Sequence, residues 1–136
     1  MPISDQIQRE IVDLHQFFEK WLSGDLADTD QNFLRLESAL ANDFSIVSPD
    51  GTEVERATLV DSLRESHGKR PNLNIWIEDF QLLRDEPPLL MVRYDECQTH
   101  SDSVTRRVST ALFSVNRSAP NGFAWVRVHE TWKADR

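Results

Sequence analysis

The sequence predicts an α+β fold, with three helices ahead of a mostly antiparallel sheet of four long strands plus a short strand. Two observations carry that reading. Apolar residues recur every three or four positions up to about residue 67, then alternate with a period near two from Pro71 onward. Turn chemistry cuts the second half into segments of strand length, at Asp85-Glu86-Pro87-Pro88, at the polar tip 101–105 and at 117–122. With 136 residues and no linker, repeat or low-complexity tract, the chain reads as one domain over residues 1–136.

Taken in order, Ser4 is placed to cap a first helix whose Ile7, Ile11, Leu14, Phe18 and Trp21-Leu22 form one apolar stripe, closed by Gly24. Its aromatic residues Phe17, Phe18 and Trp21 read as core. After an acidic link, residues 32–44 repeat the helical pattern with Phe33, Leu36 and Leu40. Residues 44–51 read as a short strand entering a turn at Pro49-Asp50-Gly51. A third helix, Ala57 to His67, carries Leu59, Val60 and Leu63 and ends at Gly68. Four strands then follow, over 72–83, 89–100, 106–116 and 123–132, joined by reversals into an antiparallel meander.

Composition excludes several functions. Fifteen basic against 23 acidic residues give a formal charge of −8, which repels phosphate backbones and anionic membranes. The basic residues are scattered, Lys69-Arg70 and Arg106-Arg107 being only pairs, so no nucleic-acid partner is expected. No apolar run approaches the roughly 20 residues that span a bilayer. The N-terminus is polar and carries no signal peptide pattern, so no membrane partner and a cytoplasmic address are expected. The single cysteine, Cys97, allows no internal disulfide and reads as a small packed side chain. No metal-ligand spacing and no phosphate-cradling glycine loop occurs, so neither metal nor cofactor is expected. Ser109 lacks the Gly-x-Ser-x-Gly surround of a nucleophile. His15 and His67, on helices without acidic or thiol companions in the pattern, read as surface residues.

The order helix, helix, DFSIVSPDG, helix, four strands resembles the nuclear transport factor 2-like (SnoaL-like, cystatin-like) superfamily over nearly the whole chain. The segments VRYDECQ, RRVSTALF and VRVHETW resemble the sheet motifs of its small bacterial members of unassigned function. The resemblance implies a strongly bent sheet wrapped around the helices as a cone with an open-ended cavity. It does not choose a function, because the superfamily holds isomerases, dehydratases, cyclases and non-catalytic association domains. A ketosteroid isomerase-like mechanism would place a carboxylic acid near Ala111, which cannot donate. A scytalone dehydratase-like one would pair histidines, yet His100 and His129 lie on separate strands. A polyketide cyclase-like acid-base residue has candidates in Glu96 and Glu130.

Strand alternation puts Val128, Glu130 and Trp132 on one face of the last strand and Arg127, His129 and Thr131 on the other. The resemblance turns the first set inward, with Arg107, Ser109, Ala111 and Phe113 beside it and Val92, Tyr94, Glu96 and Gln98 beyond. A one-residue slip would exchange each set with its opposite and bring His129 inward instead. The candidate ligand-binding residues are therefore Tyr94, Glu96, Arg107, Ser109, Glu130 and Trp132, the last as an apolar wall. The carboxylates have two readings: Arg107 bridges Glu96 and Glu130 in a satisfied network, or one of them has a raised pKa and acts as general acid or base. Three functions stay open: a domain that binds a small apolar molecule or associates, a cofactor-free acid-base enzyme, and a structural partner module. Apolar residues on both faces of VSTALFSV predict that a second copy covers the outer sheet face, giving a homodimer.

Overall fold

The computed structural model describes residues 2–134. In chain order it contains α1 (Ile3–Ser23), α2 (Asp30–Glu37), β1 (Leu40–Val47), β2 (Glu53–Glu55), α3 (Arg56–Glu65), β3 (Ile75–Glu86), β4 (Leu89–His100), β5 (Ser103–Val115), a short 3-10 turn (Pro120–Gly122) and β6 (Phe123–Trp132). The fold is α+β, and its sheet runs β2-β1-β6-β5-β4-β3. Strands β3 to β6 form the expected antiparallel meander, while β1 joins it by pairing parallel to β6.

The sheet therefore has six strands among the described residues, one more than the pattern predicts. The extra strand, β2, spans three residues, too few to show a period, and pairs with β1 across the turn at residues 48–52. Strand β1 also begins earlier than the sequence suggests, at Leu40 instead of Phe44. The second helix is correspondingly shorter: Thr29 caps it by accepting from the Asn32 N–H at 3.1 Å, and it stops at Glu37. Ser38, Asn42 and Asp43 are weak helix formers. Beyond them the sheet claims the backbone, with the Trp125 N–H donating to the Ala39 carbonyl at 2.8 Å. Ser4 does not cap α1. Pro2 occupies that position without a side-chain bond, and Ser4 lies one residue inside the helix.

Four irregularities in strand pairing, at Leu40/Ser45 between β1 and β6, at Glu78/Gln81 and Leu82/Arg84 between β3 and β4 and at Leu112/Phe113 between β5 and β6, bend the sheet. Its inner face packs on α1: Ile7, Ile11 and Leu14 share one core with Val92, Tyr94, Ala111, Phe113, Trp125 and Val128. At the far end of α1, Gly24 takes φ 87° and ends the helix. A Cβ there would meet the Gly68 Cα at 3.3 Å, so two glycines permit the close approach that lets the Gly68 N–H reach the Trp21 carbonyl at 3.1 Å. Among the described residues, no helix is long and apolar enough to cross a membrane.

Candidate functional site

A cavity of about 260 Å³ lies between the inner face of the sheet and the helices. Most of its wall is apolar, with Leu14, Phe18 and Leu22 from α1, Leu40, Phe44 and Ile46 from β1, and Leu59 and Leu63 from α3. A polar cluster converges on it from four elements: His15 of α1, Tyr94, Glu96 and Gln98 of β4, Arg107 of β5 and Glu130 of β6. Strand register explains the cluster. Tyr94, Ser109 and Glu130 form one cross-strand row, and Glu96, Arg107 and Trp132 form the next.

His15 shares the buried stripe of α1, one turn after Ile11, and is 4% exposed. Its Nδ1 lies 2.7 Å from the Ile11 carbonyl oxygen, which can only accept, so Nδ1 carries a hydrogen. Its Nε2 lies 3.1 Å from Glu96 Oε1. Burial alone would lower the His15 pKa, but the adjacent Glu96 raises it above its ordinary value. Burial would likewise raise Glu96, yet His15, helped by Arg107 and Gln98, holds it at about 2. The contact favours the imidazolium form of His15 beside the Glu96 carboxylate. The second oxygen of Glu96 accepts from Gln98 Nε2, and Gln98 Oε1 in turn accepts from Arg70 Nη1 at 3.1 Å.

Glu130 is held differently. Arg107 Nη1 approaches its Oε1 at 3.3 Å and the Ser109 hydroxyl its Oε2 at 3.5 Å, both long contacts. Burial and the charge of Glu96 outweigh Arg107 and raise Glu130 to about 7. The buried Arg107 Nε has no acceptor among the described residues. Tyr94, buried edge-on to His15, stays a phenol because burial and the two carboxylates push it well above its ordinary value. The arrangement thus keeps one carboxylate ionised and sets the other near neutrality, within one cavity.

Of the candidate residues, Tyr94, Glu96, Arg107 and Glu130 line the cavity, and Ser109 lies buried behind them. Arg107 bonds Glu130 but not Glu96, whose partner is His15. Trp132 is not part of the wall: it is 51% exposed, at the end of β6, with the Arg107 guanidinium 4.8 Å from its ring. It shares the inward parity, but Glu130 is the last residue that β6 contributes to the cavity wall. His129 is exposed on the opposite face, as the alternation requires. Cys97 is buried, and burial pushes its thiol to about 11.

Two residues of α1 were not visible as partners. His15 is buried, not on the surface, because it extends the Ile7 and Ile11 stripe by one turn. His67 is likewise half-buried, its Nε2 2.6 Å from the Leu26 carbonyl. Glu10, fully buried, makes a second network away from the cavity: Arg35 donates at 2.7 and 3.3 Å, Trp125 Nε1 at 2.9 Å and Asn121 at 3.0 Å. These donors satisfy both oxygens, so this network ties α1 to α2 and β6.

The bent six-stranded sheet over α1, with its cavity on the inner face, defines a nuclear transport factor 2-like domain. The chain belongs to the family of sucrose-6-phosphate phosphohydrolase C-terminal domains, whose model matches residues 7–134. It is 25% identical over 126 residues to sucrose-phosphatase 1 of Nicotiana tabacum, covering 90% of this chain but 30% of that protein. The chain thus spans under a third of the length of the curated relatives it matches. Among solved structures it is similar to a nuclear transport factor 2-like protein of unknown function from Pseudomonas aeruginosa, at TM-score 0.84 and 27% identity, covering 95% of this chain and 99% of that one. The CaMKII hub of S. rosetta shares the fold at TM-score 0.61 and 12% identity, covering 72% and 79%.

Proposed function

We propose that this chain is a small-molecule-binding domain whose cavity takes a compact, largely apolar ligand. The observation that carries the reading is the cavity itself: about 260 Å³ of space walled by leucine, phenylalanine and isoleucine, with its polar groups gathered at one place. That is the layout by which small-ligand sites combine affinity with orientation. The wall argues against a sugar phosphate as occupant. A dianionic phosphate would bring two negative charges to a cluster in which Glu96 and Glu130 already face Arg107 and His15, and sugar hydroxyls would lie against apolar side chains without partners.

A thermal-shift screen of aromatic and polyketide-like compounds tests it. A ligand at about 100 times its Kd stabilises by about 2.7 kcal/mol, a shift of several degrees. Hits that raise the Tm of the wild-type chain but not of Leu59→Trp, which fills the cavity, support the reading. Hits that act equally on both place binding elsewhere, and a library without hits removes the reading.

Two observations favour alternatives. Glu130, raised to about 7, is matched to proton transfer near neutral pH, as an isomerase, dehydratase or cyclase would need. Turnover of a bound hit that Glu130→Gln abolishes would establish that chemistry. Leu89 and Met91, 47% and 38% exposed on the outer face of β4, favour association through that face. Sedimentation of the wild-type chain and of Met91→Lys reads it directly, a single monomeric species for both being the refuting result.

A further inference from the structure

The charges at the cavity do not cancel in the way their number suggests. His15 and Glu96 neutralise each other as a contact pair, and both Glu96 oxygens are occupied, by His15 and by Gln98. Arg107 and Glu130 remain. Their contact runs through a single Arg107 nitrogen at 3.3 Å, where a good guanidinium–carboxylate pair has two bonds of about 2.7–2.9 Å. Arg107 lines the cavity, carries a fixed charge and has a buried Nε–H without an acceptor among the described residues. A buried unsatisfied donor of this kind calls for a partner. Once Glu130 holds a proton, the cluster has one positive charge left over and one carboxylic O–H to donate.

We infer that the ligand of this cavity is an amphipathic monocarboxylate, its aromatic body against the apolar wall and its carboxylate on the Arg107 guanidinium beside Glu130. This deepens the small-molecule reading above and rests on it. Size sets the body. A cavity of roughly 150 Å³ admits benzene, so the 260 Å³ available here suits a fused two-ring aromatic. Charge sets the head group. An ammonium would face Arg107 and the His15 imidazolium, and a dianion would exceed the single surplus charge. The groups facing Glu130 are His15 from α1, Tyr94 and Glu96 from β4 and Arg107 from β5. Of these, Glu130 is the carboxyl raised to about 7, so binding of the anion should take up a proton there.

The test compares 2-naphthoate with the neutral, nearly isosteric 2-naphthamide by titration calorimetry at about pH 6 and about pH 8. Naphthoate should bind at least tenfold more tightly than naphthamide at the lower pH. Its affinity should fall about tenfold between the two, as the protonated fraction of Glu130 falls around a pKa of about 7. Arg107→Gln should erase the preference for the acid, and Glu130→Gln should remove the pH slope of naphthoate binding. Equal affinity for acid and amide, or a naphthoate affinity indifferent to pH, overturns the charge assignment alone. If neither compound binds, the small-molecule reading itself falls. Should Arg107→Gln fail to fold, the acid–amide comparison on the wild-type chain decides by itself.

Discussion

Replacing Glu130 by glutamine should make the protein more stable, and more so as pH rises. In the folded chain Glu130 keeps its proton to about 7, whereas an exposed glutamate releases it near 4.5. A carboxylic acid whose folded pKa is raised makes its full contribution below the unfolded value and loses it as pH climbs toward the folded one. The window is therefore about pH 4.5 to about pH 7, across which the folded state holds a proton that the unfolded state has lost. The separation corresponds to about 3 kcal/mol at roughly 1.4 kcal/mol per pKa unit. Glutamine mimics the protonated acid without ever ionising, so Glu130→Gln and the wild-type chain should match near pH 4.5 and differ by up to about 3 kcal/mol at pH 8. In urea the midpoint of Glu130→Gln should then lie roughly 1 to 2 M higher at pH 8, with unchanged slope. Parallel pH profiles for the two proteins would refute the idea that burial and Glu96 govern this carboxyl.

Breaking the His15–Glu96 pair should act in the opposite sense. Glu96→Ala strands a buried imidazolium and should destabilise by about 3–5 kcal/mol, while Glu96→Gln, still able to donate to a neutral His15, should lose clearly less; equal losses in urea unfolding would sink the ion-pair assignment. Because Glu96 is held at about 2 against an ordinary 4.5, its contribution is present above about pH 4.5 and disappears as pH falls toward 2. Acid unfolding in that range should be shallower in Glu96→Gln. Gly24→Ala forces a Cβ into the left-handed region, roughly 1–2 kcal/mol, and against the Gly68 Cα; a melting temperature within one degree of wild type would contradict the tight crossing of these two loops.

The sheet was legible because its strands are long. Ten or more residues of alternation in β3, β4, β5 and β6 fix both the element and the two faces of each, and Glu96, Arg107 and Glu130 do line the inner side. What escaped is short or distant. β2 has no room for a period, and Leu40 fits a helical stripe as well as it fits a strand paired with Trp125. His15 and Glu10 sit within the apolar stripe of α1, so periodicity alone marked them for burial. The polarity of His15 argued for the surface, and the partners that make burial of the two tolerable stand 81 and 115 residues away, at Glu96 and Trp125. Trp132 shows the converse limit: parity assigns a direction, but depth depends on where the strand leaves the cavity. That Arg107 serves Glu130 and not Glu96 depends on which helical side chain reaches Glu96 first.

The placement of β6 constrains how the molecule can be assembled. It follows every other strand in sequence yet lies between β1 and β5, so without it the sheet would divide into a hook, β2-β1, and a ribbon, β5-β4-β3. Each piece would then present a bare edge able to pair with a neighbouring chain. Closure must draw together segments from opposite ends of the polypeptide, the slow kind of search. Glu130 meets Arg107 across the local β5–β6 pairing, but the cavity they both line is complete only when β6 also pairs with β1.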